Sequence, residues 1–154
     1  MKPLYRLCSA RHTATALTGL GASLAGGRWN RRGVAVVYTA ETLALAALEC
    51  LVHFSVLTLP DDYVRIKVLA PTDAVIEEIG STALPKNWSE EDPPIITQEL
   101  GSAWIERGSS LLLKVPSAVI PTESNYLINP SHPDAVRLRI EPPMPFRFDP
   151  RLKS

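Results

Sequence analysis

Hydrophobic and polar residues follow two spacings along this chain, and the spacings predict where strands and helices lie. Segments in which apolar and polar positions alternate predict β-strands, because successive side chains of a strand point to opposite faces of a sheet. Short apolar runs bounded by turn residues predict strands that are covered on both faces. The predicted strands are Leu4–Leu7, Val34–Tyr38, Tyr63–Leu69, Leu111–Val115 and Val136–Ile140, with an edge strand around Phe146 and Phe148 in the proline-rich tail 141–154.

Two segments have the three-to-four-residue spacing of helices. Thr39 is placed to cap the first helix, and Glu41 lies in its first turn, where a negative charge suits the helix dipole. The apolar spacing continues this helix through Thr42–Leu57. The second helix is predicted over Ile95–Arg107, and Gly108 ends it.

The remaining segments give weaker signals. Residues Ala14–Ala25 are small and glycine-rich, which indicates a flexible or weakly helical segment; they lack the third glycine and the preceding strand of a dinucleotide fingerprint. Pro71–Ile79 is predicted to form a strand or a helical turn, and the acidic segment Glu90–Pro94 a surface loop. Together these elements predict one α+β domain, residues 1–154, with a twisted, mainly antiparallel sheet core and few helices.

Composition narrows the function classes. Lys plus Arg and Asp plus Glu both number 16, so nothing points to direct nucleic-acid binding or to a membrane surface. Cys8 and Cys50 form no metal or redox motif, and free thiols suit a reducing cytosol. The N-terminus lacks the apolar core of a secretory signal. The apolar stretch Thr42–Leu59 is interrupted by Glu49 and His53, which favours a buried helix over a membrane span.

Glu49 is the unusual residue of the first predicted helix. Positions three and four residues away carry Leu45, Ala46, Val52 and His53, so the carboxylate lies on a largely apolar face. Moving a carboxylate from water into such a site is unfavourable by several kcal/mol unless it is paired or hydrogen-bonded. Arg28 is the nearest candidate partner in sequence. An internal Glu–Arg pair, a Glu at the edge of a groove and a functional carboxylate all remain open on these residues alone.

Several motifs in a fixed order resemble one known family. They are Gly26-Gly27-Arg28-Trp29-Asn30, Val37-Tyr38-Thr39-Ala40, Glu49, Pro116 to Pro121, Asn125, and Asn129-Pro130-Ser131-His132-Pro133. Together they are similar to the RES-domain family, which is named for an Arg, a Glu and a Ser. Those residues are Arg28, Glu49 and Ser117 here. The resemblance runs from about residue 5 to residue 134, and the tail 141–154 carries no recognised motif.

The resemblance implies a fold and an activity. It implies a fold related to ADP-ribosyltransferases and a bacterial toxin that consumes NAD as substrate, without a prosthetic group or a metal. It also implies a cytoplasmic partner, an antitoxin with a helix-turn-helix DNA-binding domain that blocks the active site, and an oligomer with that antitoxin. Trp29 and Asn30 then belong to the same NAD-binding segment as Gly27 and Arg28.

The residue types fit cleavage of the bond between nicotinamide and ribose. This reaction makes an oxocarbenium-like ribose, which an ionised Glu49 would stabilise. Arg28, together with the accessible backbone amides of Gly26 and Gly27, is suited to bind the pyrophosphate of NAD. Tyr38 would stack on the nicotinamide ring or hydrogen-bond to the ribose.

The other candidate residues have less specific roles. Ser117 lacks the surroundings of a hydrolase nucleophile, so positioning the ribose or Glu49 is the better interpretation. His53 is a candidate partner for Glu49. Asn125 and Asn129 either touch the ligand or brace loops. Arg31 and Arg32 follow Arg28 closely, so the mouth of the pocket either holds a small anion or carries two solvated arginines.

Three functions remain to be weighed. The leading one is loss of NAD by hydrolysis or phosphorolysis. A second is transfer of ADP-ribose onto a protein target. A third, from a different class, is a non-catalytic module that binds NAD or a protein.

Overall fold

The computed structural model of the protein describes residues 1–55 and 58–153, and one eight-stranded sheet lies at its centre. The strand order is β4-β5-β6-β2-β1-β3-β7, with β8 pairing with β3. All pairs in the described part are antiparallel except β4 with β5. The predicted α+β class is therefore confirmed. The strands are β1 (Lys2–Ser9), β2 (Val37–Ala40), β3 (Tyr63–Ala70), β4 (Ile76–Glu78), β5 (Leu112–Pro116), β6 (Ser124–Ile128), β7 (Arg139–Ile140) and β8 (Met144–Phe146).

Helices are few in the described ranges. They are α1 (Leu20–Ala25), α2 (Leu43–Leu51) and α3 (Ile95–Arg107), with short 3-10 helices at Ala10–Thr15, Ser81–Ala83, Pro133–Arg137 and Pro150–Lys153. The α3 bounds match the prediction, and Gly108 ends the helix with φ of 63°, a left-handed conformation that suits glycine.

The start of α2 differs from the prediction. Thr42, not Thr39, caps the helix: its hydroxyl accepts a hydrogen bond from the Leu45 amide at 3.1 Å. Thr39 belongs to β2. Glu41 lies before the helix, and its carboxylate accepts a hydrogen bond from the Ser124 amide at 3.0 Å. The carboxylate thus fastens the β2–α2 turn to β6 rather than facing the helix dipole.

The end of α2 also differs. The helix stops at Leu51, so the apolar residues that follow extend the predicted pattern without extending the helix. Residues 56 and 57 of the predicted helix lie outside the described residues. In the described part of the chain, no helix is long and apolar enough to cross a membrane.

Two other predicted segments are corrected, and two agree with the structure. β2 begins at Val37, so most of the Val34–Tyr38 prediction precedes the strand. Val136–Ile140 was expected to be a strand, but Val136 and Arg137 belong to a 3-10 helix, and only Arg139–Ile140 pairs with β3. Alternation over five residues does not separate these conformations. Pro71–Ile79 contains strand β4, and the tail contains the edge strand β8.

The core consists of three apolar clusters that hold the functional elements in place. One packs α2 against β1 and β2 through residues including Leu45 and Leu51. A second contains Trp29, Trp88 and Trp104, and it holds α3 and the two loops that bear the first two tryptophans against the sheet. The third fills the opposite face of the sheet.

Strands β1 and β2 separate soon after they meet. Their registered pair is Tyr5 with Ala40. Beyond it, Nη1 of Arg6 donates a hydrogen bond to the Tyr38 carbonyl at 3.1 Å, so a side chain replaces the backbone ladder. This split in the sheet lies directly beside α2 and opens the region described next.

Candidate active site

The Glu49 carboxylate is held by two neighbouring side chains from other elements. Its Oε1 accepts a hydrogen bond from the Ser117 hydroxyl at 2.6 Å and another from Nδ2 of Asn125 at 2.7 Å. Glu49 is on α2, Ser117 follows β5 directly and Asn125 is on β6, so the sheet and the helix together fix the carboxylate. Within residues 1–55 and 58–153, the other oxygen, Oε2, has no hydrogen-bond partner.

Ser117 is fully buried and its hydroxyl is saturated. Besides donating to Glu49, Oγ accepts hydrogen bonds from the amides of Val119 at 3.1 Å and Ile120 at 3.0 Å. The turn after β5 therefore orients the hydroxyl, whose single proton is directed at the carboxylate. This geometry suits a positioning residue and not a nucleophile.

Tyr38 has its hydroxyl tied into the protein. It donates to Oδ1 of Asn30 at 2.6 Å and accepts from the Trp29 amide at 3.1 Å. Burial raises the pKa of Tyr38 strongly, so the phenol stays neutral. The ring lines the cavities on both sides of Glu49 and remains available for stacking. A side chain at Gly27 would collide with this hydroxyl, since a Cβ there would lie 2.7 Å from it.

Arg28 does not form an ion pair with Glu49 in the described structure. Its two terminal nitrogens donate to backbone carbonyls of the loop that carries Trp88: Nη1 to Trp88 at 2.6 Å and Nη2 to Glu90 at 2.9 Å. Burial lowers the pKa of Arg28, while the charge of Glu49 acts in the opposite direction. Arg28 thus clasps the acidic loop 90–94, which forms a wall of the site.

A cleft of about 520 Å³ lies between these elements, within the size range of small-molecule sites. Helix α3 supports one side of it, because Gln98 donates to the Gly27 carbonyl at 3.0 Å. The residues lining this larger cavity include Gly27, Arg28, Trp29, Tyr38, Glu49, His53, Glu91, Pro93, Gln98, Val119 and Asn125.

A smaller cavity of about 210 Å³ adjoins the first on the β1 side of Glu49. Tyr38, Glu49, His53 and Asn125 line both cavities, so Glu49 stands where they meet. Arg6 lines only the smaller one of the two.

Most of the candidate residues from the sequence are brought together here, and two are not. Asn30 is fully buried, and its Nδ2 donates to the carbonyls of Ala22, Arg31 and Val34. Asn129 is also buried, and its Oδ1 accepts from the Ser131 amide at 3.0 Å. Both hydrogen-bond to backbone, and neither lines the two cavities. For Asn129 this matches the second of its two expected roles, that of bracing a loop. His53 is exposed at the rim.

Sequence reasoning missed Arg6, Gln98 and the wall made by Glu91 and Pro93. For Arg6 a signal existed, because it is a charged residue inside an otherwise apolar strand. The acidic loop gave no such signal, since its role depends on backbone carbonyls that accept hydrogen bonds from Arg28.

The comparisons with known proteins agree with this arrangement. The sequence profile of the RES domain matches residues 3–149. The chain belongs to the RES-domain family. The match extends past the motifs into the tail, as far as the region of Phe148. The RES domain of this chain therefore includes strands β7 and β8.

Relatives of this RES domain are similar over nearly their whole length. The Toxin Res of Yersinia enterocolitica is 39% identical over 151 residues, which cover 97% of this chain and 99% of the relative. The Prs ADP-ribosylating toxin of a Sphingobium species is 37% identical over 143 residues, covering 92% of this chain and 89% of the relative. A crystal structure of the M. tuberculosis MbcT–MbcA toxin–antitoxin complex contains a chain with the same fold, with TM-score 0.73 and 18% identity, covering 99% of this chain and 86% of that one.

Proposed function

We propose that this RES domain is the toxin of a bacterial toxin–antitoxin pair and that it cleaves the bond between nicotinamide and ribose in NAD. Similarity to proteins named Toxin Res, over 97% of this chain in one case and 85% in another, supports the first part. The second part rests mainly on one observation: Glu49 is fixed by Ser117 and Asn125 at the junction of two cavities, with Oε2 unpaired in the described structure.

The carboxylate supplies the negative charge that the reaction needs. As nicotinamide leaves, positive charge develops on the ribose, and Oε2 of Glu49 is free to face it or to accept a ribose hydroxyl proton. The two donors on Oε1 hold the carboxylate still, so little reorganisation is required when the charge appears. Ser117 and Asn125 act as positioning residues.

The larger cavity accommodates the dinucleotide in this proposal. Tyr38 offers a ring face to the flat cationic nicotinamide. Arg28 faces the same cavity with both terminal nitrogens donating to loop carbonyls, so it contacts a pyrophosphate either by sharing these donors or by releasing the loop. Gly26 and Gly27 leave backbone close to the phosphates, and His53 lies at the rim.

The enzymatic alternatives differ in the molecule that accepts the ADP-ribose group. Water gives ADP-ribose and inorganic phosphate gives a phosphorylated ADP-ribose. Transfer to a protein is the second candidate function, favoured by the relative named as a Prs ADP-ribosylating toxin. A non-catalytic NAD-binding module is the weakest reading, because a purely binding site gains little from an anion held beside the ribose.

The partner is proposed to be a cytoplasmic antitoxin with a helix-turn-helix domain that covers the cleft. The structural relative was crystallised as a toxin–antitoxin complex, which supports a protein partner for the same fold. NAD is the substrate, and no prosthetic group or metal is required.

Expression in bacteria tests the proposal. Wild-type protein produced alone is expected to stop growth while cellular NAD falls, and the cognate antitoxin is expected to restore both. A Glu49→Gln chain produced to the same level serves as the control. Growth arrest at constant NAD would favour protein modification, and unimpaired growth with soluble protein present would contradict the toxin assignment.

A further inference from the structure

The part of the larger cavity beyond its junction with the smaller one carries a second carboxylate. Glu91 lines the larger cavity only, together with Pro93 and Gln98. In the described part of the chain, the Glu91 side chain is exposed and forms no salt bridge. The residue before it is held by Arg28, whose Nη2 donates to the Glu90 carbonyl at 2.9 Å. The Glu91 carboxylate therefore follows directly on the point that Arg28 fixes and stays open to a ligand.

The dinucleotide brings one particular group to this carboxylate, a step that rests on the proposed function. There, Glu49 faces the nicotinamide ribose, and Arg28 with Gly26 and Gly27 contacts the pyrophosphate. The adenosine ribose is attached to the other end of the pyrophosphate, so it lies beyond Arg28 as seen from Glu49. Glu91 is the charged residue of the cavity lining on that side, because it is absent from the junction and adjoins the residue that Arg28 holds.

The lining of the larger cavity offers no free guanidinium for an additional phosphate among the described residues. It contains one arginine, Arg28, and two carboxylates, Glu49 and Glu91. Both terminal nitrogens of Arg28 already donate to loop carbonyls, and in the proposed function they serve the pyrophosphate. Gln98 is uncharged, and its Nε2 donates to the Gly27 carbonyl at 3.0 Å. A phosphate on the adenosine ribose would meet a carboxylate without a compensating cation.

The other basic residues nearby do not supply that cation. Arg31 pairs with two carboxylates of α3, at 2.7 Å and 2.9 Å. Arg32 is exposed and lines neither of the two cavities. His53 lines both cavities, which places it at their junction and away from the adenosine end. The described structure leaves Glu91 as the charged group that the adenosine ribose meets.

We propose that Glu91 selects NAD over NADP at the adenosine ribose. Its carboxylate accepts hydrogen bonds from the two hydroxyls of that ribose, as an acidic residue does in Rossmann-type NAD sites. In NADP one of these hydroxyls carries a phosphate, which removes a donor and brings two negative groups together. Sites that accept the additional phosphate place an arginine there instead. The substrate of this RES domain is then the dinucleotide without the additional phosphate.

Binding of ligands that lack nicotinamide tests the proposal without any cleavage. ADP-ribose and 2′-phospho-ADP-ribose differ only in the phosphate on the adenosine ribose. Isothermal titration calorimetry measures the affinity of the wild-type protein for each. We expect ADP-ribose to bind at least about tenfold more tightly, which is the scale of one lost hydrogen bond to a charged group.

Two variants on the same loop separate a local contact from a general effect of charge. Glu91→Gln removes the negative charge and keeps the size of the side chain, so the preference for ADP-ribose should fall at least about fivefold. Asp92→Asn removes one charge from the next residue, which lines neither cavity, and the preference should stay as in wild type. Nicotinamide release from NAD and NADP gives the same comparison in kcat/KM. Glu91→Gln should raise the ratio of NADP to NAD turnover, and Asp92→Asn should not.

Thermal unfolding verifies that each variant is folded, and Glu91→Ala replaces Glu91→Gln if the latter is not. Equal affinity of wild type for the two ligands, or binding of neither, would overturn the proposal. An unchanged preference in the folded Glu91 variant would do the same. A fall in Asp92→Asn as large as in Glu91→Gln would also overturn it, because the effect would then come from net charge. Weaker binding of 2′-phospho-ADP-ribose in Arg32→Gln alone would place the phosphate at Arg32 and count against Glu91.

Failure of the proposed function has a different signature. If wild type releases nicotinamide from neither NAD nor NADP, cleavage is refuted, while the two affinities still judge the role of Glu91. If wild type cleaves NAD and NADP equally well, the activity stands and selection by Glu91 is refuted.

Discussion

Replacing Ser117 by alanine separates the positioning of Glu49 from the stability of the fold. The hydroxyl makes three hydrogen bonds, one to the carboxylate and two from the half-buried amides of Val119 and Ile120. Losing a bond to a charged group and two amide contacts costs about 2–4 kcal/mol of unfolding free energy. For a chain of this length, that loss lowers Tm by about 5–15 °C.

The activity of Ser117→Ala should fall further than its stability explains. With one of two donors gone, the carboxylate loses orientation, so we expect kcat for NAD consumption to fall about 10- to 100-fold with little change in KM. Ser110→Ala is the matched control, because Ser110 is equally buried and donates to a carboxylate, that of Glu77 at 2.7 Å, while neither residue lines the two cavities. Thermal unfolding and nicotinamide release are measured for both variants below their Tm. Wild-type kcat in Ser117→Ala, or an equal loss in Ser110→Ala, would refute the reasoning.

Two further substitutions test the groups that face the substrate. Glu49→Gln is nearly isosteric and should keep the fold. NAD consumption should fall at least ~100-fold, since the charge that stabilises the transition state is removed. Wild-type turnover in the folded variant would contradict the proposed mechanism. Arg28→Lys keeps the charge but lacks the planar guanidinium whose two nitrogens donate separately to Trp88 and Glu90. We therefore expect a higher KM for NAD and a lower rate, measured by steady-state kinetics. Unchanged kinetics would make Arg28 a structural residue.

Local signals in the sequence predicted the elements whose ends are marked by their own residues. Helix α3 has both an apolar spacing and a glycine stop, and its prediction is confirmed. The predicted helix continued past the observed end of α2, because apolar residues follow Glu49. An apolar residue can be buried in a cluster without being helical, so composition alone did not mark the end of the helix. The short alternation before β7 failed for a related reason: five residues carry too little periodicity to exclude a 3-10 helix.

The candidate site was predictable where one residue type carries the chemistry. Glu49 stood out as a carboxylate on an apolar face, and the resemblance supplied Ser117 and Asn125, which the fold brings to its Oε1. Arg6 gave only the weak signal of a charged residue in an apolar strand, because its place at the site depends on the split between β1 and β2. The burial of Asn30 and its hydrogen bonds were also not predictable from local sequence, because they arise only from the tertiary fold.

The most direct test of the central claim is the fate of NAD with the purified protein. NAD is incubated with wild type and with folded Glu49→Gln, in separate reactions that contain no added acceptor, inorganic phosphate or a candidate protein target, and the products are identified by mass spectrometry. The account predicts that wild type releases one nicotinamide for each NAD lost, as ADP-ribose or its adduct with the acceptor appears, and that Glu49→Gln releases at least ~100-fold less. NAD that stays intact with folded wild type under all three conditions would contradict it.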